Sequence, residues 1–262
     1  MKATRSNMLL GLKIGVASFE ALLDRSMAAV NDRQPPFKFA CANPHSLVAA
    51  YCDQQFMIAL RACDAVVADG VGVKLAGRLT GIDVGPRITG LEFFQGMMLR
   101  LNRQGGRVFF FGSSNDVLLK IVTRACHDFP NVHVEVFSPP YGEWSQVQND
   151  EMVIRIRAAK PDVLWVGMTA PKQEKWVDAN ASLVDVPVVG SIGAVFQYYA
   201  GDVKRAPQWL CRLGLEWLYR LAGEPRRLWR RTIVSAPTFL FLVMRERLAV
   251  FLHIGNDTHS PS

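Results

Sequence analysis

The sequence lacks the residue patterns that build disulfide frameworks and metal centres. Its five cysteines are an odd number without a C-x-x-C pair, so they predict neither a set of disulfides nor a zinc site, and they are typical of a reducing cytosol. There is no D-x-D motif and no tight cluster of histidines and carboxylates, which removes the usual means of holding a divalent ion against a diphosphate. We therefore expect a protein that uses no metal and no other cofactor.

A long hydrophobic run is also missing. A helix needs roughly 18 to 20 consecutive apolar residues to cross a bilayer, and the closest approach, residues 233–244, is flanked by arginines and interrupted by a proline. We expect this run to lie on a membrane surface and not to span it. Residues 8–19 follow Lys2 and Arg5 as in a signal peptide, but Lys13 interrupts them and no clear cleavage site follows, so we interpret them as a first strand and turn.

The sequence does have enough apolar residues for a sizeable core, because half of its 262 residues are hydrophobic. Its net charge of +7 is concentrated near the C-terminus, where ten lysines and arginines stand against three glutamates between residues 204 and 247. Nucleic acid, anionic lipid and a phosphorylated substrate would all be attracted to such a region. The charge alone leaves these three classes of partner open.

Short apolar runs alternate with helical segments along most of the chain. The predicted strands are 37–42, 65–68, 107–111, 132–137, 163–166 and 187–189, and the helices that follow them are 44–59, 72–79, 115–129, 148–159, 172–181 and 194–200. Strands with little polar alternation, each followed by a helix, predict an α/β fold with a Rossmann-like, largely parallel sheet and helices on both faces. The alternation stops after Arg205, so we predict a catalytic core over residues 1–205 and a helical, basic C-terminal appendage over residues 206–262.

Ligands of such sheets bind beyond the carboxyl ends of the strands, and Asp69 stands at one of these ends. It follows the apolar run 65–68 and precedes two glycines, which leave space around the carboxylate. A carboxylate is ionised at neutral pH and can accept a proton from an attacking hydroxyl in the transition state. Asp69 is therefore our candidate catalytic base, and the alternative is an aspartate that caps a helix or a turn.

Several further residues follow the other predicted strands. The Asn43 amide could contact a sugar hydroxyl or a base, or it could belong to a turn that Pro44 ends. Arg87 could reach a phosphate from its loop or remain a solvated arginine. The glycine turns at Gly112 and Gly193 could bind an anion through backbone amides, and the polar stretch around Gln173 could contact a nucleotide or a sugar or could simply begin a helix.

The C-terminal region combines arginines with tryptophans. Arg220, Arg227 and Arg230 recur at intervals of seven and three residues, close to one helical face, although Pro225 interrupts the run. A solvated basic face is the plain interpretation. Trp209, Trp217 and Trp229 favour instead a surface that meets a diphosphate near lipid, since large rings are rarely left in water.

Two other classes of function use the same features. A nicotinamide-dependent oxidoreductase would need a complete G-x-G-x-x-G fingerprint and an acidic residue about 20 positions later, and the sequence lacks that arrangement. A non-enzymatic module that binds lipid or nucleic acid would need only the basic, aromatic C-terminal region.

The motifs taken together resemble those of the WecG/TagA/CpsF glycosyltransferases, family 26 of the sugar-nucleotide transferases. The likeness runs from about residue 16 to residue 231. It is carried by A-N-P at 42–44, A-D-G-V-G at 68–72, R-I-T-G at 87–90, F-G at 111–112, P-K-Q-E at 171–174, G-A-V-F at 193–196, G-D-V-K-R-A-P at 201–207 and L-E-W-L-Y-R-L at 215–221. So many motifs in the same order make the resemblance specific.

The resemblance implies an inverting, metal-independent hexosyltransferase that moves a sugar from a UDP-sugar to a polyprenyl-diphosphate-linked sugar and forms a β-linkage. It implies Asp69 as the base, Asn43, Arg87 and Gln173 in the sugar and diphosphate region, and Arg220, Arg227 and Arg230 as arginines that the appendage adds to the site. It further implies a peripheral protein at the cytoplasmic face of the inner membrane, homo-oligomers that compete with membrane docking, and no nucleic acid partner.

One position departs from the family pattern. The family commonly has a threonine two residues before the asparagine, and this chain has Cys41 there. We expect the lost hydroxyl to affect donor selectivity. The family contains transferases for N-acetylmannosamine, its uronic acid and glucose, which assemble bacterial surface polysaccharides. Of the two donors considered, UDP-glucose and UDP-N-acetylmannosamine, we favour UDP-glucose in exopolysaccharide biosynthesis.

Overall fold

The computed structural model describes residues 8–15, 18–33, 36–204, 206–207, 209–210, 215–223, 225–229 and 234–257. Eight strands are described: β1 (Met8–Leu9), β2 (Leu12–Lys13), β3 (Phe37–Ala42), β4 (Ala65–Ala68), β5 (Gly106–Gly112), β6 (Val132–Phe137), β7 (Val163–Gly167) and β8 (Val188–Ser191). The helices are α1 (Phe19–Asp32), α2 (Pro44–Cys52), α3 (Gln54–Arg61), α4 (Val71–Thr80), α5 (Gly90–Gln104), α6 (Asn115–Asp128), α7 (Gln146–Ala159), α8 (Lys172–Val184), α9 (Val195–Ala200), α10 (Glu216–Gly223), α11 (Pro225–Trp229) and α12 (Ser235–Asp257).

Strands β3 to β8 form one parallel sheet in the order β4-β3-β8-β7-β5-β6, and β1 and β2 form a separate antiparallel hairpin. The predicted Rossmann-like sheet is confirmed, and each predicted strand lies within two residues of an observed one. The register pairs Ala42 with Ala68 and Gly112 with Gly167. The carboxyl ends of the strands therefore lie side by side along one edge.

Helices cover both faces of this sheet. On one face α1, α5, α6 and α9 enclose a core around the fully buried Trp165, and Phe93 stacks on Phe39 with ring centroids 3.9 Å apart. On the other face α2, α3 and α4 pack with the hairpin, while α7 and α8 form a third cluster. The sheet needs a glycine at residue 190, since a Cβ there would lie 2.5 Å from the Trp165 ring.

Local side-chain chemistry sets several helix boundaries. The predicted helix 44–59 is wrong as a single element, because the Asp53 carboxylate accepts a hydrogen bond from Phe56 N at 3.0 Å and begins a new helix, α3. Helix α5 was not predicted from the sequence. It begins at a capping box in which Thr89 and Glu92 bond each other's backbone N–H groups, a T-x-x-E pattern that the sequence displays.

The C-terminal helix α12 packs against α2 and α4. Phe239, Leu242 and Val243 are buried in the same cluster as the hairpin. Polar contacts add to this packing, because Glu246 Oε2 accepts a hydrogen bond from Leu10 N at 3.0 Å and Arg247 donates to the Thr80 carbonyl.

The apolar run expected at a membrane surface therefore has one face buried against the core. Its other face exposes Leu240, Phe241 and Met244. None of the helices that the structure describes is long and apolar enough to cross a membrane.

Candidate active site

A large cavity of about 1710 Å³ opens beyond the carboxyl ends of the parallel strands. The loops that follow all six strands of the sheet contribute to its lining, and α10 and α12 contribute the helical part. Five of the predicted site residues meet in it together with Cys41. They are Asn43, Asp69, Arg87, Gln173 and Gly193.

Asp69 stands at the end of β4. Its backbone N–H donates to the Ala42 carbonyl at 2.8 Å, which extends the pairing of β3 and β4 by one residue and brings Asp69 next to Asn43. Gly70 is the N-cap residue of helix α4, with a φ of 94° that glycine adopts easily. The N-cap of α4 therefore has no side-chain hydrogen bond. The half-buried Asp69 carboxylate is thus not the cap of α4, and it lines the cavity.

Arg87 is held beside the same strand end by backbone contacts. It forms an isolated parallel bridge with Ala68, and Ile88 N donates to the Ala68 carbonyl at 3.2 Å. Within the described part of the chain its guanidinium forms no ion pair. A positive charge without a carboxylate partner at a cavity wall suits an anionic ligand.

Asn43 has a structural role that the sequence left open. Its Oδ1 accepts from Ser46 N at 3.0 Å, and Ser46 Oγ accepts from Asn43 N at 2.8 Å, which together form a capping box at the start of α2. The cap does not use the Nδ2 group of Asn43. Because the hydrogen bond to Oδ1 holds the side chain, the cap fixes the rotamer of a residue that also lines the cavity.

Gln173 and Gly193 lie against each other in the cavity floor. The buried Gln173 accepts from Met168 N through Oε1 at 3.3 Å and donates to Glu174 Oε1 through Nε2 at 2.8 Å. Gly193 has a φ of 50°, and a Cβ there would lie 3.3 Å from Gln173 Oε1. Glycine at this position leaves room for the carboxamide.

Gly112 does not line the cavity, although its neighbours Ser113 and Ser114 do. Its φ is 121°, and a Cβ would lie 2.6 Å from the Gly167 carbonyl oxygen on the adjacent strand. The close approach of β5 and β7 thus explains why a glycine is needed at residue 112. Its contact with substrate stays a prediction.

The Cys41 thiol lies near the Asp69 carboxylate in the cavity lining. Desolvation raises the pKa of this thiol well above its ordinary value, and the negative charge of Asp69 raises it further. The thiol is therefore neutral at physiological pH. It is suited to shaping the cavity and not to nucleophilic attack.

The C-terminal helices contribute an apolar wall to the cavity. Trp217 and Leu221 of α10 and Pro237 and Leu240 of α12 line this wall. Of the three predicted arginines, Arg230 lies outside the described residues, and for Arg220 and Arg227 the description covers the backbone of α10 and α11 only. Their role in the site remains a prediction.

Sequence reasoning missed the contribution of α12. His45 Nδ1 lies 2.8 Å from Ser235 Oγ, which links the first turn of α2 to the first turn of α12 and brings the latter to the cavity. The sequence carries no local signal for this contact, since the two residues are 190 positions apart.

A parallel sheet with a carboxylate, an arginine and glycine turns at its carboxyl edge defines a Rossmann-like α/β enzyme. In the described residues no group of three histidine, cysteine or carboxylate side chains is arranged to hold a metal ion.

Comparison with known proteins identifies the family. The model of the family described as "Glycosyl transferase WecG/TagA/CpsF family" matches residues 7–251, so the chain belongs to this glycosyltransferase family. Similar proteins named N-acetylglucosaminyldiphosphoundecaprenol N-acetyl-beta-D-mannosaminyltransferase occur in Bacillus subtilis strain 168, with 33% identity over 78% of this chain and 77% of the relative. Relatives of the same name are 30% identical in Bacillus spizizenii and 28% identical in Staphylococcus aureus strain MW2, each over 79% of both chains.

Proposed function

We propose that this glycosyltransferase moves a hexose from a UDP-sugar to a sugar carried on a polyprenyl diphosphate, with inversion at the anomeric carbon, in the assembly of a bacterial surface polysaccharide. The observation that carries the proposal is the position of Asp69 and Arg87 at one strand end, in a cavity that also has an apolar wall. The names of the relatives support an acceptor of the diphosphoundecaprenol class.

In the proposed reaction the Asp69 carboxylate takes the proton of the acceptor hydroxyl. The hydroxyl oxygen forms a bond to the anomeric carbon while the bond from that carbon to the phosphate oxygen breaks, and its electron pair leaves with UDP. A single displacement of this kind inverts the anomeric configuration. Arg87, with Arg220, Arg227 and Arg230, would offset the charge that grows on the diphosphate.

The apolar wall suits the lipid part of the acceptor. Val71 and Leu75 on α4 and Leu240 on α12 combine exposed apolar surface with a place in the cavity lining. Phe241 and Met244 extend this surface outwards along α12. We propose that this face meets the membrane, so that a prenyl chain reaches the cavity without crossing water.

The donor is the finer part of the proposal. The named relatives transfer N-acetylmannosamine, so UDP-N-acetylmannosamine is the first donor to test, and UDP-glucose, which the sequence favoured, is the second. We also propose that the reaction needs no divalent ion, because the arginines and backbone amides would take over the neutralisation of the diphosphate.

The test is a transfer assay with purified protein, a short-chain prenyl-diphosphate N-acetylglucosamine and a panel of UDP-sugars, with and without EDTA. We expect release of UDP with one donor, a β-linked product by NMR, and the same rate in EDTA. An α-linked product would contradict single displacement. Release of UDP only when a divalent ion is added would contradict the metal-independent mechanism.

A further inference from the structure

Glu174 is a buried carboxyl group in the wall of the active-site cavity. It lies in the first turn of α8, its residue is 4% exposed, and it contributes to the cavity lining. Its Oε1 accepts the hydrogen bond from Gln173 Nε2, and its Oε2 is buried with no hydrogen-bond partner among the described residues. Burial of a carboxyl group with so few partners is costly, and such groups are often retained for a functional reason.

The environment of Glu174 favours the neutral acid. Desolvation raises the pKa of this carboxyl group above its ordinary value, and the hydrogen bond from Gln173 only partly opposes that shift. In the described part of the chain no lysine or arginine pairs with Glu174. An acidic side chain in the first turn of a helix usually stabilises the helix as an ionised group that interacts with the helix dipole. Because the surroundings of Glu174 disfavour the ionised form, interaction with the dipole does not explain why a glutamate is found here.

The neighbours of the Gln173 carboxamide define which way it points. Met168 N–H is only a donor and must face the amide oxygen, at 3.3 Å. The Glu174 oxygen on the other side accepts from the amide nitrogen at 2.8 Å. With both ends held, one Nε2 proton of Gln173 is used, and the second remains for a ligand in the cavity that Gln173 lines.

We propose that Glu174 is a positioning residue, which locks the Gln173 carboxamide so that its second N–H is offered to a hydroxyl or carbonyl group of the donor sugar. The role as a donor contact rests on the proposed function. The orientation of the amide does not, because it follows from contacts within the protein.

Three substitutions separate positioning from a merely structural role. Glu174→Gln keeps an oxygen that accepts from Gln173. Glu174→Asp keeps the carboxyl group in the first turn of α8 but withdraws it by one methylene, and Glu174→Leu fills the space without an acceptor. Glu151→Gln, at an exposed site on α7, is the matched control. Thermal unfolding of each variant shows which of them are folded. If Glu174→Leu does not fold, Glu174→Asp is used in its place to test the proposal.

The first readout needs no substrate. The side-chain amide pair of Gln173 is assigned in a ¹H–¹⁵N spectrum by its disappearance in Gln173→Ala. We expect this pair to shift and sharpen in Glu174→Leu and Glu174→Asp and to change little in Glu151→Gln. An unchanged amide pair in both folded variants would overturn the proposal.

The second readout is kcat/KM for transfer. We expect Glu174→Leu to lose roughly 10- to 100-fold, as small displacements of a positioning group do, and Glu174→Gln to retain most activity. In a Gln173→Ala background Glu174→Leu should cause no further loss, since its effect acts through Gln173. Losses that multiply in the double variant would overturn the proposal. If the amide pair responds but the wild type transfers no sugar, positioning stands and the proposed function fails.

Discussion

The two sides of the cavity are built by different forces. On the sheet side the backbone places the functional groups: Asp69 extends the β3–β4 ladder, Arg87 bridges to Ala68, and Gln173 is held between a backbone N–H and a buried acid. On the helical side α12 is held by the burial of a few apolar side chains and by contacts at its polar residues. The comparison teaches that backbone hydrogen bonds of the core position the candidate catalytic groups, while in the proposed function access for the lipid would depend on a docked apolar helix.

The largest expected effect concerns the sheet side. Asp69→Asn removes the proton acceptor while keeping size and shape, so we expect kcat to fall about 10²- to 10⁴-fold, with UDP-sugar binding close to that of the wild type. Calorimetry for binding and UDP release for turnover measure the two quantities. Turnover near the wild-type rate would remove Asp69 as the base.

The next effect concerns the docking of α12. Leu242 is buried in the cluster around the N-terminal hairpin, and Leu242→Ala should lower the free energy of unfolding by about 2–5 kcal/mol. Leu248→Ala, at an exposed position of the same helix, should change it by less than about 0.5 kcal/mol. Chemical denaturation compares the two variants. Equal stabilities would show that the helix is not docked as described.

A smaller effect concerns the exposed face of the same helix. Phe241→Ser with Met244→Gln removes apolar surface that is outside the core. Vesicle binding should weaken about 10- to 100-fold, because each buried apolar side chain contributes about 1.5–3 kcal/mol and these two insert only in part. Unfolding should be unchanged.

The matched control is Ile154→Ser, an exposed apolar residue on α7. Sedimentation with vesicles of anionic lipid should show wild-type binding for this variant. Equal losses in both proteins would place the membrane contact elsewhere.

The smallest effect returns to the sheet side. Gly193 adopts a φ of 50° beside Gln173, so Gly193→Ala should cost about 1–2 kcal/mol of unfolding free energy from the left-handed backbone. Its Cβ would also press on the carboxamide, so KM for the donor should rise. Gly201→Ala, at a φ of 83° with open space around the added methyl group, is the control for backbone strain alone. A donor KM that rises equally in both variants would contradict contact with Gln173.

Much of the sheet side was predictable from local sequence. The run 65–68 is short and wholly apolar, and the run 132–137 alternates valine with polar residues, and both form strands with the predicted bounds. Because parallel strands align their carboxyl ends, Asp69, Asn43 and Gln173 were expected to converge, and all three line the cavity. Helix α5 could have been found from its capping box at Thr89.

Other features could not be predicted from the periodicity of the sequence. Asp53 splits one helical segment into two because its carboxylate finds Phe56 N, a competition that periodicity alone does not weigh. The apolar residues of α12 gave a membrane-surface pattern, and nothing near them showed that Phe239 would pack on the N-terminal hairpin. Glu174 likewise looked like an ordinary first-turn acid until the fold buried it beside Gln173.

The sequence by itself determined the strand and helix order, the parallel sheet and the motifs at its carboxyl edge, because these follow from hydrophobic period and from turn residues a few positions apart. Only the tertiary structure decided which face of α12 is buried, which carboxyl groups face the cavity, and how the Gln173 amide is oriented. Those outcomes depend on desolvation and hydrogen bonding between groups as many as 236 residues apart, as in the contact of Leu10 with Glu246, and only folding brings such groups together.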